Sequence, residues 1–548
     1  MQEVWYKRAV IYSVDVDAFQ DSNGDGVGDL PGLISRLDYI ASLGATCLWL
    51  NPIHPTPGRD DGYDITDYFS VDPRIGSLGD FVDLIEAAAD RGLRVMIDLV
   101  INHTSDQHPW FQASRSSRDS PFRDWYVWSD SEPEHKDEGI VFPGSQRETW
   151  TRDRRAKAWY FHRFYDFEPS LNHANPDVWN EMRRVVSFWL HLGVAGFRLD
   201  ALPFVIEQPD PHSAEAPRVY ERLRDMRRWF SWSRGDAVAL AEANVADDEI
   251  LKYVGSAPGN DDRMHMLFNF RLNARIALAL ARREAQPVVW ALRTAPALPE
   301  TAQWATFIRN HDEEDLSQLS EEERGEIFKV FAPDESMQLY GRGIRRRLAP
   351  MLGGDRRWLE LAYSLQFTLP GTPVLRYGEE IGMGENLALH ERDAIRTPMQ
   401  WSDASNAGFS TAEPDSMIRP VVDEGEFAYT KVNVAFQRRD ENSLLLWMQR
   451  LLRTLRECPE VGETSCEVFD SGAAPILIHR FAGPHGAMLF IHNLDEAEQT
   501  VDVASAVTEG DAPSESFADA DYGRLPLPLT TLKVNGFGYR WIRLRFIP

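Results

Sequence analysis

Short apolar runs alternate with helix-length amphipathic segments along most of this chain, and that rhythm leaves few folds open to it. AVIYSVDV (9–16) precedes GLISRLDYIASLG (32–44), TCLWLNP (46–52) precedes LGDFVDLIEAAADRG (78–92), and RVMIDLVINH (94–103) reads as a third strand. Buried strands followed by segments of helical period are the pattern of βα units in a parallel sheet. The rhythm stops at 104. From there to 176 the chain is rich in Trp, Tyr, Arg and Ser without helical period, too long for an ordinary loop. A small domain inserted after the third strand is expected.

The alternation resumes with PDVWNEMRRVVSFWLHLG (176–193), VAGFRLDA (194–201), PRVYERLRDMRRWF (217–230), AVALAEAN (237–244), MHMLFNF and WATFIRNHDE (304–313). The charged stretch 314–358 is expected to be a helical excursion outside the barrel wall. PVLRYGEEIG (373–382) completes an eighth strand, and SLLLWMQRLLRTLREC (443–458) supplies a final helix. Eight such units predict an α/β chain folded as a (β/α)8 TIM barrel, in two parts at 1–103 and 177–460, around an inserted domain at 104–176. A doubly wound sheet would need a Gly-rich phosphate turn after its first strand, and none is present. After 460 short alternating strands such as PILIHRF and AMLFIHN predict a separate all-β domain at 461–548, a sandwich.

In such a barrel the reacting groups lie at the carboxyl ends of the strands. Asp98, Asn102 and His103 close the third run, Arg198 and Asp200 the fourth, Glu242 the fifth, and His311 with Asp312 the seventh. A single polar residue there reads as readily as a cap. Acids converging from strands four, five and seven do not, because like charges in one pocket push their pKa values apart. Retaining glycosidases need two carboxyl groups about 5 Å apart, one attacking the anomeric carbon and one protonating the leaving oxygen. Asp200 suits the nucleophile, since Arg198 two residues earlier points to the same side and favours its charged form. Glu242 suits the acid/base, with its pKa raised by burial and by Asp200. Asp312, His103 and His311 are left to hold sugar hydroxyls.

The net charge of −27 agrees with a neutral, hydroxylated ligand and disfavours nucleic acid and anionic membranes. Seventeen Trp and sixteen Tyr offer flat surfaces for sugar rings, although most are expected in the core. Cys47, Cys458 and Cys466 have no metal-type or CxxC spacing, and the N-terminus lacks a signal peptide's apolar stretch. No run of 18 apolar residues occurs, so a cytoplasmic, non-membrane protein is expected. An oligomer is compatible with the sequence, which does not set the number of subunits.

GYDITDY (62–68), DLVINHTS (98–105), GFRLDA (196–201), the Glu242 strand and FIRNHDE (307–313), in this order, resemble the α-amylase superfamily of glycoside hydrolases (family 13). RTPMQW (396–401) with NAGFS (406–410) resembles its glucosidase-like branch. The resemblance implies Asp60, Tyr63 and Arg396 as further contacts to the innermost glucose. WYKRAVIY, DSNGDGVGDLPGL, VINHTSDQHPWF and GIRRRLAPMLG are similar to the trehalose synthase family, which implies isomerisation of maltose and trehalose in a pocket that excludes water. The chain departs from that pattern at EPSLN (168–172), where Ser170 replaces an expected carboxylate, at QPDPHSAEAPRV (208–219), and at IHP (53–55). These departures are expected on the rim and acceptor side. Hydrolysis or transglucosylation of small α-glucosides such as sucrose therefore stays open, and a non-catalytic sugar-binding barrel is a remoter reading that would predict loss of a catalytic acid.

DSNGDGVGD (21–29) spaces oxygen donors at alternate positions: Asp21, Asn23, Asp25, the Val27 carbonyl and Asp29. Hard oxygens in that series predict a structural Ca²⁺ loop, although the twelfth position is Gly32 and not the glutamate of an EF-hand. A second family calcium site would use Asn102 and Glu207, and Ser170 weakens it.

Overall fold

The computed structural model describes residues 4–212, 217–255, 260–484, 486–508 and 511–546. Eight parallel strands close into a barrel: β1 (Ile11–Val14), β2 (Cys47–Leu50), β3 (Arg94–Leu99), β4 (Gly196–Leu199), β5 (Val238–Ala241), β6 (Met266–Phe268), β7 (Gln303–Thr306) and β8 (Thr372–Arg376). Each pairs with the next in sequence, and β8 pairs with β1.

Alternation along the strands builds the site. Ile11, Cys47, Trp49, Met96, Leu240, Met266, Ala305 and Val374 form one apolar cluster inside the barrel. Two residues beyond Met96 comes Asp98, and two beyond Leu240 comes Glu242, so strand geometry aims both toward the barrel axis. The register sets Asp98 beside Arg198 on the neighbouring strand. Gly196 is required where β4 begins, because a Cβ there would lie 2.5 Å from the Val238 carbonyl oxygen of β5. The opposite faces of the strands join the larger core under the surrounding helices. The helix Pro176–His191 shows the principle: Val178, Met182, Val185, Val186, Trp189 and Leu190 are its buried stripe.

The insertion after β3 carries a helix, Pro109–Ser116, and a three-stranded antiparallel sheet of Trp128–Ser129, Ala158–Phe161 and Trp150–Asp153. We call it domain B. The excursion after β7 is only partly helical: besides the helix Glu321–Phe331 it contains a three-stranded sheet of Glu314–Asp315, Gly343–Ile344 and Gln338–Leu339. Strands of two residues leave no alternation to read, so the sequence expectation of a wholly helical segment falls short here. The C-terminal region holds a five-stranded antiparallel sheet and a separate two-stranded one. Among the described residues no helix is long and apolar enough to cross a membrane.

Candidate active site

The strands end earlier than the sequence pattern suggests. Asp200 and Glu242 each follow the last residue of their strand, whereas Asn102, His103, His311 and Asp312 lie in loops three to six residues beyond β3 and β7. The loops nevertheless fold back over the barrel mouth, and Asp60, Tyr63, His103, Asp200, Glu242 and Asp312 line one cavity of about 440 Å³.

Arg198 organises its floor. One guanidinium nitrogen lies 2.9 Å from Asp98 and 2.5 Å from Asp200, and the other lies 2.9 Å from Glu242. Three carboxyl groups, Asp98 and Asp200 buried and Glu242 half-buried, thus share one cation. Burial raises all three, against the pull of Arg198: Asp200 to about 6, Glu242 to about 7 and Asp98 to about 7. Asp200 and Asp312 push Glu242 up further. The lower value falls on Asp200, the expected nucleophile, and a higher one on Glu242, the expected proton donor.

The turn after β4 completes the arrangement. Ala201 has φ +45°, a left-handed conformation unusual for a residue with a side chain. Its backbone N–H donates to Glu242 at 2.8 Å. Strain at this position is matched by its result, a fixed aim for the Glu242 carboxyl beside Asp200.

Asp312 sits in the opposite environment. Burial acts to raise it, but His311 and the guanidiniums of Arg392 and Arg396 outweigh burial and hold it well below the usual carboxylate range. Arg392 and Arg396 each lie 3.0 Å from the same Asp312 oxygen, and Arg392 also reaches Asp60 at 2.9 Å. Asp61, in a left-handed turn with φ +50°, pairs with Arg396 at 2.7 Å and with Arg419. The Tyr63 ring stacks on His311, and its hydroxyl lies 2.7 Å from His311 Nε2 and 3.2 Å from Asp98. Burial lowers both His103 and His311 to about 4, so they serve as neutral hydrogen-bonding partners near pH 7.

Two residues of this site escaped the sequence reading. Arg392 stands four before Arg396 and bridges Asp60 to Asp312, yet its loop has no periodicity to mark it. Glu168 opens EPSLN, where attention fell on Ser170. It is fully buried, accepts from the Tyr165 N–H at 3.3 Å, lies 3.7 Å from His103, and is pushed well above its usual range by burial and by Asp60 and Asp64. Its placement among carboxylates favours its protonated form.

The departures at the supposed rim need correction. His54 is 1% exposed, packs edge-on to Tyr68 and Trp189, and is lowered to about 3 by burial, so IHP belongs to the core beneath the loop. Ser170 is also buried, and its hydroxyl accepts from the Arg163 N–H at 3.0 Å. Glu207, expected at a second calcium site with Asn102, is paired with Arg163 at 2.7 Å and with Arg218 at 3.4 Å. Two guanidiniums thus meet its charge. Of the loop 208–219, residues 213–216 lie outside the described residues.

The 21–29 loop follows β1. Asp21 is buried and takes N–H bonds from Asn23, Gly24 and Gly26, and Asp29 takes them from Ser22 and Gly32. Asn23 and Asp25 are exposed. The donors are hard oxygens of the type calcium takes, but the Ser410 hydroxyl also donates to Asp21 at 2.5 Å, so all four lone-pair sites of that carboxylate already have a partner in the fold. Among the described residues no three His, Cys, Asp or Glu side chains are already gathered as a metal cage.

Residues 12–332 and 344–461 match the family model described as alpha amylase, catalytic domain. A trehalose synthase/amylase of Mycolicibacterium smegmatis is 41% identical, over 99% of this chain and 93% of its own length. A trehalose synthase of Pimelobacter sp. (strain R48) is 39% identical, over 98% of this chain and 96% of its own length. Among solved structures, the trehalulose synthase of Pseudomonas mesoacidophila superposes with a TM-score of 0.81 at 25% identity, covering 99% of both chains. The chain belongs to the alpha-amylase family, as an enzyme similar to the trehalose synthases.

Proposed function

We propose that this enzyme isomerises maltose and trehalose by retaining glucosyl transfer. An oxygen of Asp200 bonds to the anomeric carbon as the glycosidic C–O bond breaks, and the proton of Glu242 passes to the leaving oxygen. The released glucose turns in the pocket, and its anomeric hydroxyl attacks the glucosyl-enzyme while Glu242, now a base, takes that proton. Transfer to the anomeric oxygen gives trehalose, and transfer to the 4-hydroxyl returns maltose. Asp312, Asp60 and His103 hold the hydroxyls of the bound ring, with Arg392 and Arg396 keeping Asp312 charged for this task.

The observation that carries the reading is the acid pair on Arg198 at the floor of a cavity of about 440 Å³. That volume is near the lower end of small-molecule sites, about 300–1,000 Å³. It suits a disaccharide better than a long glucan. The similarity to trehalose synthases supports the same substrate class. Incubation with maltose is expected to yield trehalose in excess of free glucose, read by chromatography. Glucose as the sole product would replace this reading by a hydrolytic α-glucosidase.

Within the same proposal the 21–29 loop takes a structural Ca²⁺ through Asp21, Asn23, Asp25, the Val27 carbonyl and Asp29. Support comes from the alternate spacing of hard oxygens. Bound calcium would neutralise the loop's charge, and the bond-breaking step uses side chains alone. We also place the reaction in the cytoplasm, on the three cysteines being free thiols.

A further inference from the structure

Three separate pieces of the chain meet above the cavity. Phe142 and Tyr165 come from domain B, Tyr340 from the excursion after β7, and Glu391 with Arg392 from the loop after β8. The rings of Phe142 and Tyr340 lie 4.9 Å apart, and the Arg392 guanidinium sits 5.0 Å over Phe142. Phe142 and Arg392 face the cavity. Glu391 stands behind them, outside its lining.

The Glu391 carboxylate joins the three pieces. One oxygen accepts hydroxyl bonds from Tyr165 at 2.8 Å and from Tyr340 at 2.9 Å, and the other accepts from Ser145 of domain B. Burial acts against its charge, but these three hydroxyls outweigh burial and hold it below the usual carboxylate range. Both sides of the junction are strained: Glu391 has φ +38° and Tyr340 φ +55°, conformations that residues with side chains seldom adopt. Arg345 secures the same loop by donating to the carbonyls of Leu387 and Leu389 at 2.5 and 3.0 Å. Hydrogen bonds to an ionised acceptor are about twice as strong as neutral ones, so the Glu391 carboxylate is a strong polar link between domain B and the far rim.

We propose that Glu391 is the latch of this roof, a positioning residue that holds domain B onto the excursion and so decides whether glucose or water meets the glucosyl-enzyme. The inference rests on the isomerase reading, in which released glucose has to stay enclosed while it turns. A loosened roof admits water to the anomeric carbon. The covalent bond to Asp200 then breaks toward water, with Glu242 taking the proton, and free glucose leaves in place of a disaccharide.

The test compares the wild type with Glu391→Ala, Glu391→Gln and Tyr340→Phe in the full chain. Two readouts are taken: the ratio of glucose to trehalose from maltose, and hydrogen exchange in peptides covering 139–146 and 337–345. Glu391→Ala is expected to raise the hydrolysed fraction about tenfold, the fold-change of one lost charge-assisted hydrogen bond. Glu391→Gln, which keeps one acceptor oxygen, should fall between it and the wild type, and Tyr340→Phe should shift the ratio less than either. Exchange in both peptides should rise in the same order. Unchanged exchange in Glu391→Ala, or faster exchange with an unchanged product ratio, would overturn the latch. A wild type that makes glucose alone would overturn the isomerase reading and the partition role with it, while the exchange data would still judge the contact itself.

Discussion

Asp200 and Glu242 are chemically similar groups on one guanidinium, and their surroundings separate them. As the proposed nucleophile Asp200 has to be ionised to attack, so kcat/KM is expected to fall as pH drops below about 6, where burial sets its pKa. Glu242 has to carry a proton, so the rate should fall again above about 7. A bell-shaped profile with those limbs is the expected outcome, and Glu242→Gln should remove the alkaline limb while lowering turnover of maltose by about 10²–10⁴. A profile flat from pH 5 to 8 would contradict both assignments. Glu168 offers a stability test. Its carboxyl ionises freely in the unfolded chain near the ordinary value of 4.5, but burial and the nearby Asp60 and Asp64 raise it in the fold. It therefore costs stability as pH rises from that value towards its folded pKa. Glu168→Gln imitates the protonated form at every pH, so its melting temperature should exceed the wild type's at pH 7, with the gap closing towards pH 4. A gap that widens in acid would show that Glu168 is ionised in the fold.

At the scale of elements, the strand-to-loop junctions decide the site more than the strands themselves. Period-two alternation carries Asp98 and Glu242 inward from an apolar barrel interior, and this much was legible in the sequence. His311 and Asp312 were assigned to a strand end, yet β7 stops at Thr306 and a loop brings them back. Arg392, Glu168 and Glu391 left no mark because long-range ion pairs and hydroxyl contacts across loops have no local period. IHP was misplaced for a related reason: one buried histidine in a loop looks the same in sequence as one exposed on a rim. The 21–29 loop is an element whose proposed ion is testable by removal. Chelation with EGTA should lower the melting temperature and restored Ca²⁺ should recover it, with Asp21→Ala abolishing the difference. A melting temperature indifferent to both would remove calcium from the account.

For the whole molecule, the barrel supplies a rigid floor and the additions govern access. Domain B and the excursion roof the cavity, while the C-terminal sheet braces the far side through the helix Arg356–Thr368. Trp541 donates to Ser364 at 2.8 Å, Ser364 bonds His492 at 2.9 Å, and His479 bonds the Thr368 carbonyl at 2.9 Å. Such a buried polar seam fixes the orientation of one domain on the other. The alternating rhythm was enough to predict the barrel and an all-β C-terminal domain, because hydrophobic periodicity marks the longer strands and helices. Which surfaces those additions press together was not readable, since it depends on contacts such as Ser145 with Glu391, 246 residues apart. In the proposed reaction all of these parts serve one event, the transfer of glucose to Asp200. Trapping with 5-fluoro-α-glucosyl fluoride followed by peptide mass analysis tests that event most directly. A single fluoroglucosyl adduct on the peptide carrying Asp200, absent in Asp200→Asn, is the predicted result; an adduct on another carboxylate would contradict the account.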